Sequence, residues 1–275
     1  MPDQFSESNA SVIELRGVAV SSMHDTTKIV LENVEWSVNT GEFWVVAGTQ
    51  GSGRSDLMLL TGGLMSPAQG EYHFFGEPMP IFEESRLKLR LRLGFVFESG
   101  QVFSEMSTAE NVALPLRYHE DVSREEAEAR VGELMTLLEM TRFAQHWPTG
   151  LTRNWQKRIG LARALMLKPD VLVLDDPLSG LNARHAAWWL NFLEQLCAGH
   201  SFMGGRRMTI VAAADDLRPW QGRDRRFAVI NGKKFSVVGS HDELTASADP
   251  LVKEFVYGAA PAVADDTTQN PKSAS

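Results

Sequence analysis

Short apolar runs separated by glycine and polar turns fill the first third of the chain. Residues 12–20, 28–38 and 43–47 have the apolar content of strands, and their closeness predicts a small sheet near the N-terminus. Two more short strands are predicted at residues 70–76 and 93–97. This part of the chain is therefore predicted to be rich in β-structure.

Helical and strand patterns alternate in the rest of the chain. Ser123 and Glu126 have the spacing of a capping box and predict the start of one helix, and a second helix is predicted over residues 151–167. The continuous apolar runs 171–174 and 208–214 are typical of central strands in a parallel sheet covered on both faces. A third helix is indicated by apolar residues at helical spacing: Ala187, Leu190, Leu193 and Leu196.

A hairpin is predicted near the C-terminal end. Residues 227–230 and 235–238 are predicted to form two strands on either side of Asn231 and Gly232, a pair that is typical of tight hairpin turns. Lys233 and Lys234 are expected to lengthen the loop.

Composition limits the class of protein. The 275 residues are 43% apolar, enough for one large domain or two small ones, and the net charge of −8 argues against a surface built to bind nucleic acid. No apolar run is long enough for a transmembrane helix, and the start has no signal-peptide pattern, so a cytosolic protein is expected. The single cysteine, Cys197, excludes an internal disulfide. Residues 1–11 are expected to be flexible and residues 259–275 a disordered tail.

The segment from Gly48 to Ser55 has the clearest chemical pattern in the chain. It follows a predicted strand, precedes an apolar helical run, and spaces its glycines as the phosphate loop G-x-x-x-x-G-K-[ST] requires. In such loops backbone N–H groups at a helix N-terminus surround phosphate oxygens. The alternative is a glycine turn that only links a strand to a helix. The residues predicted to bind nucleotide are Gly48, Thr49, Gln50, Gly51, Ser52, Gly53, Arg54, Ser55 and Asp56.

Two adjacent carboxylates, Asp175 and Asp176, end the buried apolar run 171–174. Alone, they could be a helix cap or ordinary loop residues. Combined with a phosphate loop, they predict a Mg²⁺ site beside a nucleotide, with Ser55 and Asp175 as the residues that hold the metal.

The order and spacing of these pieces resemble the ATP-binding subunit of an ABC transporter over residues 12–258. The resemblance implies a P-loop NTPase fold of the ABC type. This is an α/β fold with a mixed central sheet in a RecA-like core, an antiparallel β subdomain and a helical subdomain near residues 100–165. Residues 97–106, 111–117 and 249–255 resemble one subgroup in particular, the Mla/Mce-type phospholipid transporter ATPases.

Most positions that carry chemistry in that family are substituted here. Arg54 stands in place of the phosphate-binding lysine, and Asp176 in place of the glutamate that polarises the attacking water. Glu98 replaces a glutamine and Asp215 the switch histidine, so Asp176, Glu98 and Asp215 are expected to be impaired catalytic positions. The signature segment aligns with Thr152, Arg153, Asn154, Trp155 and Gln156, where arginine and asparagine replace two glycines.

Three functions remain open. The first is a nucleotide-binding subunit of a lipid transporter in which hydrolysis is weak or absent, a pseudo-ATPase. The second is a working ATPase that drives lipid transport despite the altered motifs. The third is an ABC protein outside transport, which the acidic charge and the lack of a zinc motif or a long coiled-coil insertion disfavour.

The resemblance also implies cofactors, partners and a location. ATP or ADP with Mg²⁺ is expected, with weakened affinity. The partners implied are an integral membrane permease and either a second copy or another ABC ATPase subunit, with the lipid handled by partner proteins and no nucleic acid. The location implied is the cytoplasmic face of a bacterial inner membrane. A permease helix is expected to dock beside the Glu98 loop on Val102, Phe103 and Met106.

Overall fold

The computed structural model describes residues 11–258 except positions 80, 82 and 223. The predicted flexible start and disordered tail lie outside these residues, apart from Ser11, which begins the first strand. Within the described part of the chain, no helix has the length and apolar character that a membrane crossing needs.

One ten-stranded sheet organises the fold. Its strands are β1 (Ser11–Ser21), β2 (Ile29–Asn39), β3 (Phe43–Gly48), β4 (Gln69–Phe74), β5 (Glu77–Pro78), β6 (Leu93–Val96), β7 (Val171–Leu174), β8 (Thr209–Ala214), β9 (Arg225–Asn231) and β10 (Lys234–Ser240). Every strand predicted from the sequence has a counterpart among them.

Helices cover the sheet and form a separate group between β6 and β7. They are α1 (Arg54–Thr61), α2 (Leu87–Arg90), α3 (Thr108–His119), α4 (Arg124–Leu137), α5 (Arg153–Leu165), α6 (Ala183–Ala198), α7 (His241–Ala246) and α8 (Pro250–Tyr257). Of these, α3, α4 and α5 fall in the region predicted as the helical subdomain. Their contacts are mutual, since α3 packs against both α4 and α5.

The strand order is β5-β4-β1-β2-β10-β9-β3-β8-β7-β6. From β9 to β6 all neighbours are parallel, whereas β5, β4, β1 and β2 form an antiparallel section. Residues 43–47 therefore do share a sheet with the first two strands, but the expectation of a small sheet is wrong, because the sheet has ten strands and β3 pairs with neither β1 nor β2. β3 lies in the middle of the parallel section, because both of its faces are apolar and need cover.

Two cores lie on opposite faces of the parallel section. Val45 belongs to the core shared with α3 to α6 and α8, whereas Trp44 and Val46 belong to the core shared with α1 and the antiparallel strands. Because successive side chains of a strand point to opposite faces, a strand buried on both sides must be apolar throughout. This explains the continuous apolar runs in β3, β7 and β8, which are buried along their whole length.

Two local predictions need correction. In the hairpin, Lys234 pairs with Asn231, so the loop is only Gly232 and Lys233, and Gly232 takes the positive φ that the short turn needs. At the start of α4, Ser123 accepts a hydrogen bond from the backbone N–H of Glu126, but the Glu126 carboxylate lies 2.9 Å from Arg130. Only half of the predicted capping box forms.

Candidate functional site

Four neighbouring parallel strands end at one edge of the sheet. β3 leads into the phosphate-loop segment, β8 into Asp215, β7 into Asp175 and Asp176, and β6 toward Glu98. The carboxyl ends of adjacent parallel strands form a crevice in which ligands of α/β proteins bind. The topology therefore brings together residues that lie far apart in the sequence.

The phosphate-loop segment has the backbone form that its glycines predict. Gly51 and Gly53 have φ values of 78° and 89°, and Gly53 is the N-cap of α1. A Cβ on Gly48 would lie 2.5 Å from Oγ of Ser52, and one on Gly53 would lie 3.0 Å from the Val30 side chain. Because only glycine fits these positions, the loop can curl tightly over the N-terminus of α1.

Ser55 and Asp175 face each other at the end of this loop. The Ser55 hydroxyl donates to Oδ1 of Asp175 at 3.0 Å, and burial raises the pKa of the Asp175 carboxyl. Hydroxyl and carboxylate oxygens suit Mg²⁺, which completes its coordination with water and nucleotide phosphates. Among the described residues no three His, Cys, Asp or Glu side chains gather into a metal-holding group. The pair therefore fits a Mg²⁺ ion that arrives with a nucleotide, because the phosphates would bring further ligands.

Arg54 does not extend away from the protein. Its Nη1 donates to the carbonyl of Gly48 at 2.8 Å, and its Nη2 lies 2.7 Å from Oδ2 of Asp176. The side chains of Arg54 and Asp176 are 12% and 7% exposed. The cation of the phosphate-loop segment and the carboxylate of Asp176 thus form a nearly buried ion pair.

Asp176 is held by its backbone as well. It has a φ of 45°, a conformation that aspartate tolerates better than most residues. Lys157 of α5 is fully buried, and its Nζ donates to the carbonyls of Asp176, Pro177 and Ser179. Burial raises the pKa of Asp176 to about 6, against the opposing effect of Arg54, so the carboxylate is ionised at neutral pH.

Glu98 is turned toward the segment that follows Asp176. Its Oε1 accepts a hydrogen bond from the Ser179 hydroxyl at 3.1 Å, and Nη2 of Arg153 lies 4.0 Å from the same oxygen. Arg153 also packs over Gly180, where an added Cβ would lie 2.8 Å from Nη1. Side-chain contacts thus link three parts of the chain: the loop at Glu98, the turn after β7 and the start of α5.

The signature segment is anchored in the interior through Asn154, whereas Thr152 and Arg153 are exposed. Asn154 is 3% exposed, and its Oδ1 accepts from the indole N–H of Trp189 at 3.3 Å. Trp155 packs against Phe143 with ring centroids 4.8 Å apart. Gln156 donates to the carbonyls of Pro148 and Leu151, and Thr152 is the N-cap of α5, with no side-chain capping bond to the described residues.

A buried arginine extends this packing. The Arg158 guanidinium lies 4.7 Å from the ring centroid of Trp155 and 3.4 Å from that of Trp188, and it donates to the Leu138 carbonyl. Trp188 in turn stacks on Phe192 at 5.2 Å. Trp155 of the signature segment is therefore part of a cation–aromatic stack between α5 and α6.

The remaining predicted residues lie at the rim. Oδ1 of Asp56 accepts the backbone N–H of Met23 at 2.7 Å, which ties α1 to the loop after β1. Thr49 and Gln50 are exposed at the tip of the phosphate loop. Asp215 is exposed, and its charge raises the pKa of Asp176, so the two carboxylates are close enough to repel one another.

Sequence reasoning missed Lys157 and Arg158. Both are polar residues within α5 and are 0% and 2% exposed. The one indication of their burial in the sequence was that they stand beside the apolar residues Ile159 and Leu161 in the same predicted helix. The sequence does not show the partners that make these charges acceptable. For Lys157 they are carbonyls of the turn after β7, and for Arg158 they are the Leu138 carbonyl and the Glu139 carboxylate just after α4, with the Trp188 ring of α6.

The ABC transporter family profile matches residues 31–179. The chain belongs to the ABC transporter family. The fold class predicted from the resemblance is thereby confirmed. One relative is MlaF of Escherichia coli strain K12, an intermembrane phospholipid transport system ATP-binding protein, which is 28% identical over 92% of this chain and 91% of MlaF. The macrolide export ATP-binding/permease protein MacB of Azoarcus is 34% identical over 70% of this chain, which is 30% of MacB.

The solved ABC structures agree with this assignment. The ATP-binding cassette MJ0796, a dimer in a post-hydrolysis state with ADP and phosphate, superimposes with a TM-score of 0.70 at 27% identity. That alignment covers 81% of this chain and 95% of MJ0796.

Proposed function

We propose that the protein is the nucleotide-binding subunit of an ABC transporter for phospholipid, and that its own hydrolysis of ATP is weak or absent. The observation that carries this proposal is the phosphate loop beside the Ser55–Asp175 contact, combined with the bonding of Arg54 to Asp176. The first part fits Mg-nucleotide binding. The contact between Arg54 and Asp176 keeps the arginine from binding phosphate and keeps the carboxylate from polarising the attacking water.

The lipid assignment rests on MlaF. The similarity covers nearly all of both chains, as expected when two proteins have the same domain organisation. The proposed partner is an integral membrane permease, as the resemblance to transporter ATP-binding subunits implies. The proposed location is the cytoplasmic face of a bacterial inner membrane. The subunit would act there as a homodimer or beside another ABC ATPase subunit.

The loop after Glu98 offers a docking surface for that permease. Asn111 is fully buried and fixes the loop, because its side chain accepts the backbone N–H of Phe103 and donates to three loop carbonyls. Phe103 is nevertheless 53% exposed, whereas Val102 packs against the core that the sheet shares with α3 to α6 and α8. An apolar ring on a fixed loop suits insertion between side chains of a short partner helix.

We expect Phe103→Glu to release the subunit from membranes that contain its permease. The charge would have to be buried at the contact without a partner, whereas in the free subunit it remains in water. Co-sedimentation with membranes measures this, and the bound fraction should fall at least about tenfold. Phe103 is a cleaner site than Val102, since a charge at Val102 would also disturb the core.

Val237→Glu is the matched control, because Val237 is 49% exposed and lies on β10. Its membrane retention should equal that of the unchanged protein. Both variants should keep the thermal unfolding midpoint of the parent. Full retention of a folded Phe103→Glu variant would contradict the docking site.

We expect Mg-ADP to bind about as well as Mg-ATP. The backbone N–H groups of the loop and the α1 N-terminus hold the phosphates in both ligands. Asp215 places an anion where a family member has a histidine. The third phosphate of ATP therefore adds little binding free energy at this position. Calorimetric titration of both nucleotides measures the ratio of their dissociation constants. This ratio should lie within about threefold of one, because the attraction of the loop for the third phosphate and the repulsion from Asp215 offset each other.

Asp215→Ala should shift this ratio toward ATP by removing the repulsion. Asp216→Ala is the control, since the neighbouring carboxylate is already bonded to Arg218. A strong preference for ATP that persists unchanged in Asp215→Ala would show that Asp215 does not face the third phosphate.

A further inference from the structure

The ion pair between Arg54 and Asp176 joins two parts of the site that are 122 residues apart. Arg54 is the first residue of α1, and Asp176 is in the turn after β7. Each side chain is about nine-tenths buried, so water screens their attraction far less than it would on the surface.

The remaining donors of Arg54 are also directed at the protein. Nη1 is bonded to the Gly48 carbonyl, and Nε is buried with no partner among the described residues. A guanidinium holds two acceptors in one plane, which the single ammonium of a lysine does not do. Arg54 therefore bridges the start of the phosphate loop and the Asp176 carboxylate in one rigid contact.

We propose that Arg54 and Asp176 act as one clamp that sets the nucleotide affinity of the site by holding the loop cation away from phosphate. The clamp closes the phosphate loop against the turn after β7. The nucleotide is then held by the backbone of the loop. Arg54 becomes available to phosphate only when its bond to Asp176 is broken. This inference rests on the proposed nucleotide-binding function.

The clamp makes the effects of the two residues on binding depend on each other. With Asp176 present, loss of the Arg54 charge removes little direct contact with phosphate. In an Asp176→Asn variant, the guanidinium is free to turn to the ligand, and its loss is then severe. Residues that share one contact show such non-additivity, whereas independent residues do not.

The test is a double-variant cycle with Arg54→Met, Asp176→Asn and both together, titrated with Mg-ADP, which is a product and is not turned over. We expect Asp176→Asn to raise the affinity about tenfold when Arg54 is present, and less than about twofold in the Arg54→Met background, because the freed cation supplies the gain. An equal gain in both backgrounds would overturn the clamp.

Asp215→Asn is the matched control for general charge repulsion. It removes a neighbouring anion that does not bond to Arg54, so any gain should be the same in the parent and in the Arg54→Met background. A loss of affinity on Arg54→Met that is as large in the parent as in the Asp176→Asn background would show that Arg54 already contacts phosphate. That outcome would also overturn the clamp.

A second measurement needs no ligand. The sum of the two single-variant drops in Tm should exceed the drop in the double variant by about 2–4 °C, because each single change breaks the same contact. Additive drops would count against the clamp. Absence of Mg-ADP binding in every variant would refute the proposed function, while the Tm cycle would still decide whether the two residues are joined.

Discussion

The complex of this subunit with its permease should hydrolyse ATP at close to the background rate. Removing a single preorganised group that stabilises the transition state typically lowers the rate by about 10²–10³-fold. Here the loop cation is bonded to Asp176, Glu98 to Ser179, and the signature glycines are replaced by Arg153 and Asn154. Losses within one catalytic unit do not multiply, so several substitutions bring the rate to background without driving it lower.

Phosphate release by the purified complex measures this turnover. The complex must be assayed, because an isolated ABC subunit can lack ATPase activity simply because its partners are absent. Asp176→Asn should leave the low rate unchanged. Robust hydrolysis that this variant abolishes would show that Asp176 acts on water despite its bond to Arg54, and would restore the second of the three functions, a working ATPase.

Lys157→Met should be strongly destabilising. Nζ lies 2.8, 3.2 and 2.9 Å from the carbonyls of Asp176, Pro177 and Ser179, and burial lowers the Lys157 pKa only to about 8, so the ammonium is charged at neutral pH. Methionine keeps the length of the side chain but leaves these carbonyls without their donor. Each buried group left unpaired costs about 1–3 kcal/mol, and removal of a buried charge offsets part of this, giving a net loss of about 3–5 kcal/mol.

Chemical denaturation of both proteins measures the change in the free energy of unfolding. Lys253→Met is the control, because Lys253 is exposed on α8 and its charge is not buried on folding. Its free energy of unfolding should remain within about 0.5 kcal/mol of the parent. A loss below about 1 kcal/mol for Lys157→Met would mean that water replaces the ammonium in the turn.

The strands that position the site could be predicted because their apolar runs are local and continuous. The order of those strands could not, since pairing of β3 with β8 and β9 joins residues from distant parts of the chain. α3 was missed although Ser107 and Glu110 form a complete capping box, because Pro115 lies inside the helix and argues against one. α6 was predicted, but its buried side includes Trp189 and Phe192, while Ala187 is exposed.

The candidate site shows the same division. The phosphate loop and the carboxylates after β7 follow from spacing and residue type. The contact between Arg54 and Asp176 does not follow from the sequence, because each residue considered alone is only a substitution at a position that is functional in the family. Only the distance between them shows that the two side chains form an ion pair. The resemblance to the ABC family thus points to the substituted positions, and the structure shows what those residues contact.

The Asn154 side chain limits what a single substitution can change in the signature segment. It fills buried space under Trp189 and accepts the indole N–H. Glycine at this position would leave a cavity and the indole N–H without its acceptor, while also removing Nδ2 of Asn154, a buried donor with no partner among the described residues. One unpaired donor replaces another, so the cavity is what lowers the stability. A glycine at this position therefore needs the space beside Trp189 to be repacked as well, and a single substitution does not provide that.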